Sequence, residues 1–178
     1  MSTTKLVVLT LVMATAAVVI VGYLILLSGL VPVAADSGTG TLMASTLDLA
    51  SSRSVRRHAA GLKDPGIRDP KTLQRAFAEY DETCVTCHGA PGTKAAEFAE
   101  KLDPAPPGYD DIAREVPPAE MFWTIKHGIR MTGMPAFGSL HDDDTLWAVV
   151  TVMRELPKLS PAQYQARTAG AGHEEHSE

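Results

Sequence analysis

The chain has 178 residues, of which 45% are hydrophobic and 21% charged, a size and balance that fit one modest domain with an accessory segment rather than a two-domain enzyme. Sixteen Lys and Arg against twenty-one Asp and Glu leave a formal net charge of -5, without the basic surface that nucleic-acid binding requires.

After a short N-terminus (1–5), Leu6 to Leu30 is apolar apart from Thr10, Thr15, Ser28 and two glycines, and no charge occurs between Leu6 and Ala35. Roughly 20 such residues span a bilayer. A cleavable signal peptide is the competing reading, since Lys5 is a basic residue ahead of the stretch and Val33-Ala34-Ala35 is a small-residue cleavage site. The apolar core of a signal peptide runs only ~7–15 residues, so the length assigns 6–33 to a retained transmembrane anchor. Lys5 before the span and Asp36 after it place the N-terminus in the cytoplasm and the remainder across the membrane.

Residues 34–69 read as a linker. Asp36-Ser37-Gly38-Thr39-Gly40 has the composition of a flexible connector. Met43, Leu47 and Ala50 then recur at helical spacing, followed by Arg53, Arg56, Arg57 and His58. A short amphipathic helix here could rest on anionic headgroups, dock on another subunit, or present a solvated charged face.

Asp69 followed by Pro70 is an N-cap and a first-turn proline, and Leu73, Ala76, Phe77, Tyr80 and Cys84 follow on one helical face. That helix delivers Cys84-Val85-Thr86-Cys87-His88, the C-x-x-C-H pattern of covalent haem c attachment. Each thiol adds to one vinyl group of the porphyrin, and the adjacent histidine becomes the proximal iron ligand. Three other readings compete. A zinc knuckle needs a second ligand pair, a thioredoxin-like redox pair needs a βαβ context, and a structural disulfide leaves His88 without a role.

Pro117 and Pro118 open a second helical stretch over Ala119 to His127, with Met121, Phe122 and Ile125 on one side and Gly128 as its stop. Asp142, Asp143 and Asp144 suit the positive end of a helix dipole, and Leu146, Val149, Val150 and Met153 continue as a helical stripe until Pro157. No strand alternation or internal repeat is visible, so the fold class is all-α. Residues 158–178 read as a flexible tail; its Gly172-His173-Glu174-Glu175-His176 run could take adventitious metal or simply be solvated.

Residues 70–157 resemble a class I c-type cytochrome, similar to the single-haem domains of bacterial oxidase and dehydrogenase systems. The resemblance implies a cytochrome c fold, in which an N-terminal helix enters C-x-x-C-H, a C-terminal helix crosses it, and a methionine-bearing loop lies between. Tyr80 and Trp147 match the family's aromatic positions at the crossing, while Ala76 stands where many relatives carry glycine. Gly133-Met134-Pro135-Ala136-Phe137-Gly138 resembles the distal loop, which makes Met134 the expected second axial ligand. Met131, His127 and His141 are its rivals; Met121 and Met153, within helical stripes, read as core.

The resemblance further implies that the Pro106-Pro107 segment supplies a carbonyl to the free ring N–H of His88, and that Trp123 either approaches a propionate or packs within its helix. Phe122, Ile125, Pro135 and Phe137 would keep water from the iron. A neutral thioether and low polarity both favour ferrous over ferric iron and raise the reduction potential.

The expected cofactor is one covalently attached haem c, held by Cys84, Cys87, His88 and Met134, with His88 and Met134 on the metal. The expected activity is outer-sphere transfer of one electron by a carrier rather than an enzyme, between redox partner proteins, with no nucleic acid and no small-molecule substrate. The expected location is the bacterial inner membrane, crossed once, with the haem domain in the periplasm. Two alternatives stay open: a fixed haem subunit of a larger oxidase or dehydrogenase, and a haem sensor or peroxidase with an exchangeable sixth ligand.

Overall fold

The uncharged N-terminal stretch forms one helix, α1 (Thr3–Leu27), in which every residue is exposed. It is long and apolar enough to cross a membrane. Two of its hydroxyls are satisfied within the helix: those of Thr10 and Thr15 donate to the carbonyls of Leu6 and Leu11, at 2.5 and 2.9 Å. The helix begins at Thr3, where Ser2 caps it, and ends at Leu27 rather than at 33, because Ser28 closes the last turn and Gly29 turns left-handed at φ 72°.

The computed structural model describes residues 2–67 and 69–169, and among them there are helices and no named strand. Two compact units result, Met1–Gly38 and Thr39–Glu178. The second contains α2 (Thr41–Ala59), α3 (Pro70–Glu79), α4 (Val85–His88), α5 (Tyr109–Glu115), α6 (Pro118–His127), α7 (Asp143–Glu155) and α8 (Pro161–Thr168).

The principal packing is α3 against α7. Helix α3 starts where Asp69 accepts the N–H of Thr72 at 2.8 Å, and α7 where Asp142 accepts that of Thr145 at the same distance. Ala76, Phe77 and Tyr80 from one side and Leu146, Trp147, Ala148, Val149, Val150, Val152 and Met153 from the other form the buried core. The methyl of Ala76 is completely buried, so this core accommodates a side chain at the position where the resemblance implied glycine. Helix α6 closes the core with Met121, Phe122 and Ile125, and the Phe122 ring stacks on Trp147 with centroids 4.2 Å apart and planes 7° off parallel. A two-oxygen ion pair from Lys126 Nζ to Asp143, at 2.6 and 2.9 Å, ties α6 to the start of α7.

Two segments depart from the sequence reading. Within the expected linker, α2 packs against α6, burying Val55 and Ala59, so that residues 41–59 belong to the second unit rather than to a connector. The cause is a short face: only two residues of the helix are buried, too few to register as a stripe. Within the expected tail, Ser160 and Gln163 form a reciprocal capping box at the start of α8, and Tyr164 is buried against the core with its hydroxyl donating to Asp81 at 2.7 Å. His173 and His176 lie outside the described residues.

Candidate haem site

Helix α3 does not continue regularly into the cysteine motif. Tyr80–Cys84 is a π-helical turn, in which the N–H of Val85 reaches back five residues to the carbonyl of Tyr80, and α4 then carries Val85 to His88. Such a turn widens the helix by one residue and is frequent at functional sites. Here it lets Tyr80 stay fully buried in the α3 core while Cys84 and Cys87 emerge half-buried on the next turn. The Tyr80 hydroxyl donates to the carbonyl of Gly89 at 2.8 Å, fixing the backbone just after His88. Burial holds the Tyr80 phenol well above the usual tyrosine range, so it remains a neutral donor.

Both cysteines are free thiols. Burial pushes the Cys84 thiol up to about 11. That is the reverse of the lowered value that makes a redox-active or metal-binding thiolate at neutral pH, so the local chemistry argues against a thioredoxin-like pair.

His88 is half-buried, with Nδ1 2.8 Å from the Pro107 carbonyl. A carbonyl can only accept, so Nδ1 carries a proton, and in the neutral ring the other nitrogen, Nε2, keeps its lone pair. The ring is thereby oriented and assigned a tautomer with one nitrogen ready for a metal.

The loop after α6 is organised around Met134. Gly128 turns left-handed at φ 64°, and a Cβ there would stand 2.7 Å from the Met134 carbonyl, so only glycine permits the approach. That carbonyl accepts the N–H of Ile129 at 3.2 Å, and the N–H of Met134 donates to the Thr132 hydroxyl at 3.1 Å. Downstream, the N–H groups of Phe137 and Gly138 donate to the carbonyls of Ile125 and Lys126 at 3.1 and 2.9 Å, stitching the loop back onto α6. Met134 is half-buried against the core, as is Cys84. A Cβ on Gly133 would lie 2.9 Å from Leu102 Cδ1, so the methionine loop closely approaches the segment that leads to Pro107.

The rivals of Met134 are placed differently. Met131 is 78% exposed, at φ 63°. His141 pairs through Nε2 with Glu79 at 3.0 Å, and His127 packs against Trp123. Trp123 meets two imidazoles, stacking with His58 of α2 at 5.4 Å and tilted against His127 at 4.9 Å between centroids. Sequence reasoning did not find this arrangement, because His58 comes from the segment read as linker. Phe122 and Ile125 are buried, Phe137 is half-buried, and Pro135 is exposed.

A family described as cytochrome c oxidase, cbb3-type, subunit III matches residues 71–153, from the second residue of α3 to near the end of α7. This segment is a class I c-type cytochrome domain. No curated protein and no solved structure matches the chain. The matched cytochrome segment holds both cysteines, His88 and Met134, and stops short of α1, α2 and α8. A cytochrome c domain implies haem c binding, and the donors present fit that group: two unpaired thiols on successive helical turns, an imidazole with one nitrogen engaged and the other free, and a thioether on a braced loop.

Proposed function

We propose that the chain is a membrane-anchored, single-haem cytochrome c that passes one electron at a time between protein partners on the periplasmic side of a bacterial inner membrane. The observation that carries this reading is the His88 ring, locked by Pro107 with Nε2 available and set directly after two free thiols. Cys84 and Cys87 would hold the porphyrin through thioether bonds, and His88 and Met134 would bind the iron. The haem, when bound, supplies a centre that accepts and gives up one electron. The polypeptide holds the group, orients the imidazole through Pro107, keeps the thioether in place through the Thr132 and Ile129 bonds, and limits water with Phe122, Ile125 and Phe137. With His88 and Met134 both bound to the iron, no ligand position would be left for a substrate, which opposes the sensor or peroxidase reading. The α1 helix serves as the anchor.

The family description favours a second reading, in which the same domain is a fixed subunit of an oxidase. Extraction in mild detergent followed by sizing separates the two: a shuttle migrates alone, a subunit with its complex.

The test of the site is spectroscopic. Pigment should stay with the polypeptide through acid-acetone extraction, and the ferric protein should show the near-infrared sulfur-to-iron band. Met134→Ala should abolish that band and let carbon monoxide bind the ferrous form, while Met131→Ala should change neither. A band that survives Met134→Ala removes the methionine from the ligand set; pigment that washes out removes the covalent attachment.

A further inference from the structure

The outward face of α2 is not used by the packing just described. Val55 and Ala59 are buried on the side against α6, and Asp48, one heptad before Val55, lies on that same side. The opposite side carries Leu42, Leu49, Arg53 and Arg56 in one stripe, flanked by Met43 and Arg57. Leu42 is 83% exposed, Met43 59% and Leu49 55%. All three arginines are exposed, and none takes part in an ion pair among the described residues. In a chain of net charge -5 this is a local positive patch continuous with an apolar one.

We infer that this face of α2 lies on an anionic lipid surface, with Leu42, Met43 and Leu49 entering the headgroup boundary and Arg53, Arg56 and Arg57 on lipid phosphates. Charge and position both select this occupant. Apolar residues beside basic ones are the composition of an interfacial helix. Helix α2 also follows α1 closely: the intervening residues 28–40 reach at most about 45 Å when fully extended, so an anchored α1 keeps α2 near the membrane. The inference rests on α1 being retained as an anchor. Each basic residue near an anionic leaflet favours the docked state about fivefold, so three arginines shift docking on the order of a hundredfold.

The experiment uses the full haem-loaded chain in nanodiscs of phosphatidylcholine with or without phosphatidylglycerol, read by hydrogen exchange. Amides of 41–54 should exchange more slowly in the anionic discs, while those of α6 do not change. The slowing should vanish in the Arg53→Gln/Arg56→Gln/Arg57→Gln variant and in about 0.5 M salt, where exposed charges are screened over a few Å. Equal exchange in both discs, or slowing that survives the triple substitution, overturns the inference. Slowing that requires a co-purifying protein also overturns it, in favour of a subunit interface. Failure of the anchor shows separately, as chain eluting apart from the discs.

Discussion

Tyr80 concentrates several roles in one side chain: its ring fills the core beneath α7, and its hydroxyl satisfies the carbonyl that follows His88. Tyr80→Phe keeps the packing and strands that carbonyl, so it should lower unfolding stability by about 1–3 kcal/mol with no change in the denaturant slope. Urea titration of the haem-loaded protein measures it, and an unchanged midpoint would mean that the Gly89 bond contributes nothing. At this scale the cysteine motif was legible because its chemistry is contiguous. The Pro107 carbonyl was reached only through the family resemblance, since its partner lies in a distant loop. The stacking of His58 on Trp123 was not legible, because it depends on a docking that two small buried residues, Val55 and Ala59, provide.

Among the elements, α3, α6 and α7 could be read from caps, prolines and apolar spacing, for each presents several core residues on one side. Helices α5 and α8 escaped because each buries one residue, Ile112 and Tyr164, and a single point defines no periodicity. The Ser160-Pro161 start with Gln163 was the available signal for α8. The caps also set a pH response. Backbone and side-chain bonds from Thr72 hold Asp69 below the ordinary carboxylate range, and those from Thr145 do the same for Asp142. A carboxyl depressed in the folded chain contributes stability above its unfolded value of about 3.9 and loses it as the pH falls through the folded value. The Asp69→Asn/Asp142→Asn variant keeps both acceptors and removes the titration. Its melting temperature should therefore fall less steeply than that of the parent below about pH 4, by a small margin because both sites are exposed. Parallel curves would show that the caps do not contribute to acid unfolding.

For the whole molecule, the division into 1–38 and 39–178 differs from the boundary at Pro70 that composition suggested. A chain lacking residues 1–38 should be water-soluble and retain the haem spectrum and melting temperature of the parent, whereas one lacking residues 1–62 should melt lower because α6 loses its α2 cover. Thermal melts of the two truncations decide it, and equal melting temperatures would make α2 an appendage. Composition misplaced the boundary because Arg-rich, Ser-rich helices resemble linkers until their small buried residues are seen against a partner.

The bracing of the methionine loop has a consequence for speed. With its amide and carbonyl both engaged and the following residues sewn to α6, Met134 has little freedom to relax. On the proposed ligation, the sulfur stays where it is as the neighbouring charge changes, much as a packed interior resists deformation. The nuclear rearrangement accompanying each redox event would then be small, which would permit rapid hopping at modest driving force. Thr132→Ala, which removes the acceptor of the Met134 N–H and keeps both ligand side chains, should slow the self-exchange rate while leaving the resting spectrum intact.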